Sequence, residues 1–253
     1  MKSQLAIELS ENAVNFASIQ DGVVLSIDKF TFRDKIDYRY REQLNQIFTD
    51  KGYKEKNYDE YSLSWHSIYS TLLPNNVFAE VKSEDLLKLC YSGEISQDNI
   101  DYNRIPELAI VNVYTIPLWV KSFFVVKFPR IVIQHEGSHL LHGIFSGSIS
   151  TLNVSIVIHD SSFNLVITNK EGLQFYSQFD FQMIDDLIYH LVYTLQQKKL
   201  LNHNGNLTIY PGVGSTDEQA IELKHKLESL KDLKLFKIEI NSHLLLNYQT
   251  LCV

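Results

Sequence analysis

Cysteine is scarce: the 253 residues hold two, Cys90 and Cys252, far apart and in no metal-ligand spacing. That is too few for a disulfide framework and fits a reducing compartment. Five prolines and ten glycines rule out a collagenous or low-complexity chain. Cations are in deficit, with 23 Lys and Arg against 30 Asp and Glu and a formal charge of -7. Displacing counterions from a phosphate backbone requires a cationic surface, so nucleic acid is not expected as a partner. The densest basic stretch, Lys224, Lys226, Lys231, Lys234 and Lys237, is interleaved with Glu222, Glu228, Asp232 and Glu239, and reads as a solvated face. A long hydrophobic run is also missing. The most apolar region, residues 116–133, is broken by Lys121, Lys127 and Arg130, and charge at mid-bilayer is costly, so no membrane insertion is expected. Glu8 interrupts the apolar stretch that a signal peptide would need. These absences predict a cytoplasmic protein.

What is present is ordinary globular material, 45% hydrophobic and 21% charged, in a chain long enough to bury a sizeable core. Alternation over the first thirty residues predicts three strands. Leu5, Ile7 and Leu9 share one face of the first, Val14 and Phe16 open the second, and Val23, Leu25 and Ile27 mark the third. Tyr40, Leu44, Ile47 and Phe48 have helical spacing, closed by Gly52. A strand is expected over 58–66, a loop over 71–81, a short helix over 83–90 and a surface loop over 92–104. A strand over 108–114, a helix over 117–127, a strand over 131–133 and a helix over 138–145 follow.

At Ser146-Gly147-Ser148 small polar residues cluster, and the pattern restarts. Strands are expected over 152–158, 163–168 and 173–179. The clearest helix follows over 183–197, with Ile184, Leu187, Ile188, Leu191 and Leu195 on one face. A strand over 207–210, a helix over 216–230 and a strand over 233–240 complete the chain. Both halves run meander, helix, strand, helix, strand. The expectation is an α/β protein of two lobes, residues 1–147 and 148–253.

Two lobes that each open on a three-strand meander resemble the actin-like ATPase fold, also called ribonuclease-H-like. Pro129-Arg130-Ile131-Val132-Ile133-Gln134-His135, then Ser138-His139-Leu140-Leu141, and Leu207-Thr208-Ile209-Tyr210-Pro211-Gly212 are similar to an uncharacterised bacterial family of unknown function with that fold. The resemblance implies ATP held between lobes by backbone N–H groups of each opening hairpin, with an Asp nearby for the metal. The family pattern of Asp, apolar, Gly, then Ser or Thr is matched by Glu8, Leu9, Ser10 and Glu11, which lack the Gly and add a negative charge. The second hairpin offers His159, Asp160, Ser161 and Ser162, again without Gly. The third element, a Gly-rich strand-to-helix turn, is present as Pro211-Gly212-Val213-Gly214-Ser215. If a nucleotide is retained, the resemblance places Glu8, Ser10, Asp160, Ser161, Gly212, Gly214 and Ser215 around it, with ATP and Mg as the ligand. Two of three elements are degraded, and phosphoryl transfer depends on preorganised phosphate contacts. The expectation is therefore a pseudo-ATPase without catalytic residues or cofactor, binding or scaffolding a protein partner; a functional ATP-binding protein is the alternative. A chain of this length also leaves little room for inserted subdomains.

A rival reading is a zinc-dependent hydrolase. His135-Glu136-Gly137-Ser138-His139 matches the H-E-x-x-H pattern, in which two His four apart on one helix face bind zinc and the Glu serves as base. Against it, residues 131–133 favour a strand, which would put His135 at a strand end, and Gly137 weakens a helix.

Overall fold

In a computed structural model, residues 2–32, 37–53, 56–92, 95–147, 151–242 and 244–252 are described; Ser148 of the linker stretch lies outside them. The chain divides into two compact units, Met1–Gly143 together with Leu246–Val253, and Ile144–Leu245.

The first unit opens with β1 (Ser3–Leu9), β2 (Ala13–Gln20) and β3 (Val23–Thr31), the expected meander. Helix α1 (Asp37–Lys51) ends at Gly52, whose φ of +63° is the left-handed conformation that closes a helix. It leads to β4 (Glu60–Trp65). Then come β5 (Ser70–Pro74), α2 (Ser83–Cys90), β6 (Ile100–Ile105) and β7 (Ile110–Thr115). Helix α3 (Leu118–Lys127), β8 (Val132–His135) and α4 (Glu136–Phe145) follow.

Five strands form one sheet in the order β3-β2-β1-β4-β8, in which β1, β4 and β8 run parallel. Parallel neighbours need crossovers, and α1 and α3 lie in those connections. The period-2 alternation of a strand puts Leu5, Ile7 and Leu9 on one face. There they share a core with Phe16, Leu44, Phe48, Leu63, Val120 and Phe124. On the opposite face β1 and β4 carry small or polar residues, Gln4, Ala6, Ser62 and Ser64 among them. Gln4 Nε2 donates to Ser62 Oγ at 2.9 Å, and Ser62 Oγ donates to Gln249 Oε1 at 2.8 Å. All three side chains are buried. Leu246 packs on Ala6, Ala17 and Ile19 on this same face.

The structure corrects two expectations. Residues 70–74 and 100–105, read as loop, are strands that flank β7 in an antiparallel sheet of order β5-β7-β6. Both are edge strands with mostly half-exposed residues. They therefore lack an apolar stripe, and Pro74 is tolerated because an edge strand leaves one side unpaired. Leu87 of α2 packs on Val111 and Val113 to give this sheet its own small core. An inserted subdomain is thus present between β4 and α3, despite the short chain.

The second unit repeats the plan: β9 (Leu152–Ile158), β10 (Ser162–Asn169), β11 (Gly172–Asp180), α5 (Ile184–Gln197), β12 (Gly205–Pro211), α6 (Asp217–Ser229) and β13 (Phe236–Ile240). Its sheet order is β11-β10-β9-β12-β13. Leu187, Leu191 and Leu195 of α5 and Leu223 and Leu227 of α6 bury against Ile156, Leu165 and Leu207. Asp186 accepts from the backbone N–H groups of Gln182 and Met183 at 3.0 and 2.9 Å. It thereby satisfies donors that a helix start leaves open, and these bonds hold its carboxyl below the usual range. No helix among the described residues is long and apolar enough to cross a membrane.

A Cβ on Gly143 would collide with the ring of Tyr248. Gly143→Ala is expected to lower stability by about 1–3 kcal/mol, the usual cost of overpacking, read as a lower urea midpoint at unchanged slope.

Candidate functional site

In the first unit, Glu8 and Ser10 sit where β1 runs out into its turn. The Glu8 side chain is buried, and its Oε2 accepts from Asn15 Nδ2 at 2.9 Å. Ser10 closes the turn on itself. Its N–H donates to Ala13 O at 2.9 Å. Its Oγ accepts from the N–H groups of Ala13 at 3.1 Å and Asn12 at 3.4 Å, and donates to Asn12 Oδ1 at 2.9 Å. Tyr40 donates its hydroxyl to Ser10 O at 2.8 Å, and burial, with Glu11 second, pushes that hydroxyl far above its ordinary pKa. Backbone donors that an open turn would offer to an anion are thus engaged by a serine hydroxyl. Glu11 lines a cavity of about 200 Å³ with Trp65, Ser67, Tyr69 and Thr115, adding a carboxylate beside the turn.

In the second unit, Asp160, Ser161, Gly212, Gly214 and Ser215 gather at the carboxyl ends of the parallel strands β9 and β12. Asp160 and Ser161 are exposed, and Gln219 Nε2 donates to Asp160 O at 3.4 Å. Gly212 N–H donates to Ile158 O at 2.8 Å, and Ser215 Oγ donates to Gly212 O at 2.8 Å. The need for Gly at 212 is local. A Cβ there would lie 2.8 Å from His159 Nδ1 and 3.0 Å from Val157 Cγ1. The His159 ring is buried, with Nδ1 3.0 Å from Val213 O, so the imidazole occupies the space that the missing Cβ leaves. Gly214, at φ +84°, makes the turn into α6. Thr216 then caps the helix, its Oγ1 accepting from Gln219 N–H at 3.2 Å while Gln219 Oε1 accepts from Thr216 N–H at 3.0 Å.

The H-E-x-x-H stretch falls across two elements, with His135 ending β8 and His139 inside α4. His135 is fully buried. Its Nδ1 lies 3.0 Å from Gly137 N–H and 3.1 Å from Asn112 Nδ2, both donors, and its Nε2 lies 3.0 Å from Ser67 O. Donors at Nδ1 and an acceptor at Nε2 assign the neutral Nε2–H tautomer and engage both ring nitrogens. Asn103 Oδ1 accepts from His135 N–H at 2.9 Å and Ser138 Oγ at 3.0 Å. Asn112 also donates to Ser138 Oγ at 3.1 Å. The motif therefore joins the inserted sheet, through Asn103 of β6 and Asn112 of β7, to β8 and α4. His139 is fully buried, and desolvation pushes its imidazole down to about 3, with the Leu63 backbone opposing the shift. Neither His135 nor His139 belongs to a group of three possible metal ligands among the described residues. Asn103 and Asn112 were not singled out from sequence as site residues, and His159 was read there only as part of the second hairpin. The available signal was Asn112, a lone amide inside the apolar run Ile110-Val111-Asn112-Val113.

Residues 1–226 match the model of a family described as "Protein of unknown function (DUF3822)". Among solved structures, a Bacteroides thetaiotaomicron VPI-5482 protein with actin-like ATPase fold and unknown function aligns at TM-score 0.77 and 16% identity, covering 98% of this chain and 96% of that one. The PilM-PilN type IV pilus biogenesis complex aligns at TM-score 0.60 and 8% identity, covering 94% of this chain and 88% of that one. Ethanolamine utilization protein EutJ from Carboxydothermus hydrogenoformans aligns at TM-score 0.55 and 6% identity, covering 98% and 88%. No curated protein matches the chain in sequence. The fold is the actin-like ATPase fold.

Two predictions follow from the buried imidazoles. His135→Ala unpairs several buried groups and is expected to cost about 2–4 kcal/mol in urea unfolding, since each orphaned group costs about 1–3 kcal/mol; chelator treatment of the unaltered chain is expected to leave its midpoint unchanged. Burial lowers the pKa of His139 to about 3 in the folded chain, against about 6.5 for an ordinary imidazole. Between those values the unfolded chain binds the extra proton, so this residue's contribution to stability falls as pH drops from neutrality toward 3. His139→Gln is expected to flatten that acid limb in a pH series of urea midpoints.

Proposed function

The chain belongs to the DUF3822 family of unknown function, and from that premise we infer that it is a non-hydrolysing actin-fold protein, a binding or scaffolding module for a protein partner. The observation that carries this reading is the Ser10 turn. An actin-like ATPase needs the first hairpin's backbone N–H groups for phosphate, because oriented amides are what hold such an anion without a matching side-chain charge. Here Ser10 Oγ accepts from the N–H groups of Asn12 and Ala13, and Glu11 places a carboxylate next to them. Gly212 adds support, since its lack of a Cβ is accounted for by the ring of His159. The glycine of the strand-to-helix turn thus has a packing reason independent of nucleotide.

A protein partner accords with the PilM structure, which is a complex of PilM with PilN. Cys90 is an exposed free thiol, which accords with a reducing cytoplasm. If a nucleotide binds after all, Glu8, Ser10, Asp160, Ser161, Gly212, Gly214 and Ser215 remain the residues to test.

Millimolar Mg-ATP is expected to leave the melting temperature unchanged. A ligand present at a hundredfold excess over its Kd would add about 2.7 kcal/mol, worth several degrees for a chain of this size. A rise of that order, abolished by Asp160→Ala, would overturn the reading.

A further inference from the structure

We propose that the groove between β11 and α5 is a binding site for a small, flat aromatic carboxylate. The groove measures about 470 Å³ and is lined by Phe175 and Phe179 of β11, Tyr189, His190 and Tyr193 of α5, and Lys198. That volume lies in the range of small-molecule sites, which are mostly apolar with a few polar groups that fix orientation. All of it belongs to the second unit, and none of these residues takes part in the turns or in the bonds of His135.

The rings select a flat ligand. A strand sends alternate side chains to one face, so Phe175, Ser177 and Phe179 point the same way, and four residues of strand span about 13 Å. Yet the two Phe rings are 6.3 Å apart and inclined by only 13°, because they lean together over the small Ser177. His190 continues this floor, stacked on Phe179 at 4.5 Å and 22°. Phe175 and Phe179 also rest on the core of the unit, so the floor is formed before a ligand arrives and little ordering is left to oppose binding. On the α5 side Tyr189 and Tyr193 stack at 5.9 Å and 14°, and both rings are held out to solvent, 62% and 50% exposed. No Leu, Ile, Val or Met lines the groove. Ring faces gain from offset stacking beyond the area they bury, a gain that a saturated chain does not make.

The charge selects an anion. Lys198 lines the groove and no carboxylate does. Its Nζ lies 5.8 Å from the centre of the Phe175 ring, and no carboxylate among the described residues pairs with it. A ring laid on Phe175 therefore meets an ammonium at its margin, and a carboxylate on that ring gains a charge-assisted hydrogen bond. A ring that carries an ammonium of its own meets like charge instead, which sets the preference between the two.

Calorimetric titration of the full chain with naphthoate, with backbone amide shifts to locate the ligand, tests this. Naphthoate is expected to bind with a Kd of about a millimolar or below, moving amides of β11 and α5. Octanoate, an anion without a ring, and naphthylmethylammonium, a ring of opposite charge, are each expected to bind at least about threefold more weakly. Lys198 is exposed, so Lys198→Glu leaves the fold in place and is expected to reverse the preference between naphthoate and naphthylmethylammonium. Tyr189→Ala, at a second exposed position, is expected to weaken naphthoate about three- to tenfold. No binding at about 10 mM naphthoate, octanoate binding as tightly, a charge preference that Lys198→Glu leaves unchanged, or amide shifts confined to other parts of the chain would each overturn the proposal.

Discussion

A neutral imidazole bonded at both nitrogens holds the first unit's parts in register. His135 takes donors from the start of α4 and from β7 on Nδ1, and gives Nε2–H to the carbonyl of Ser67 just beyond β4. These three segments are far apart in the chain. A protonated ring would set a third donor against the two already at Nδ1. The geometry therefore depends on the ring staying uncharged. Asn103, Asn112 and Ser138 extend the contact so that the inserted sheet is located by directional bonds, whereas the two five-strand sheets are held by area.

That division explains what the sequence makes legible. Strands β1, β2, β9 and β10 and helices α5 and α6 carry strong periodic apolar patterns because each buries one face in a large core, and their positions could be read residue by residue. The restart after residue 146 was readable for the same reason. β5 and β6 were not: Ser70-Thr71-Leu72-Leu73-Pro74 and Ile100-Asp101-Tyr102-Asn103-Arg104-Ile105 flank a small sheet, and their polar side chains show no alternation. The strand end at His135 could be anticipated from Ile131-Val132-Ile133. Its distant hydrogen-bond partners could not, since Asn112, Asn103 and Ser67 lie 23 or more residues away.

The turns show how a fold can persist while the residues at its turns vary. Burial of Leu5, Ile7 and Leu9 against α1 and α3 does not depend on whether residue 10 is Gly or Ser. A hydroxyl at that position offers the turn an internal acceptor, and the hairpin remains closed and well satisfied. The sheet thus survives changes at its carboxyl end that alter what the end can hold. The candidate residues were legible as turn positions, because the turns fall between readable strands. Their bonding was not, because Asn12, Asn15 and Tyr40 enter through the folded geometry.

The return of Leu246–Val253 to the first unit has a consequence for how the protein is made. Gln249 reaches between Gln4 and Ser62, and the first unit is completed by a segment that follows the whole of the second. The second unit, Ile144–Leu245, is contiguous and can condense as soon as it leaves the ribosome. The first must keep part of one sheet face uncovered until residues 246–252 have been made. Topologically the later-made unit is a guest within the earlier one, so a cut at residue 143 yields one whole unit and one left without its closing segment.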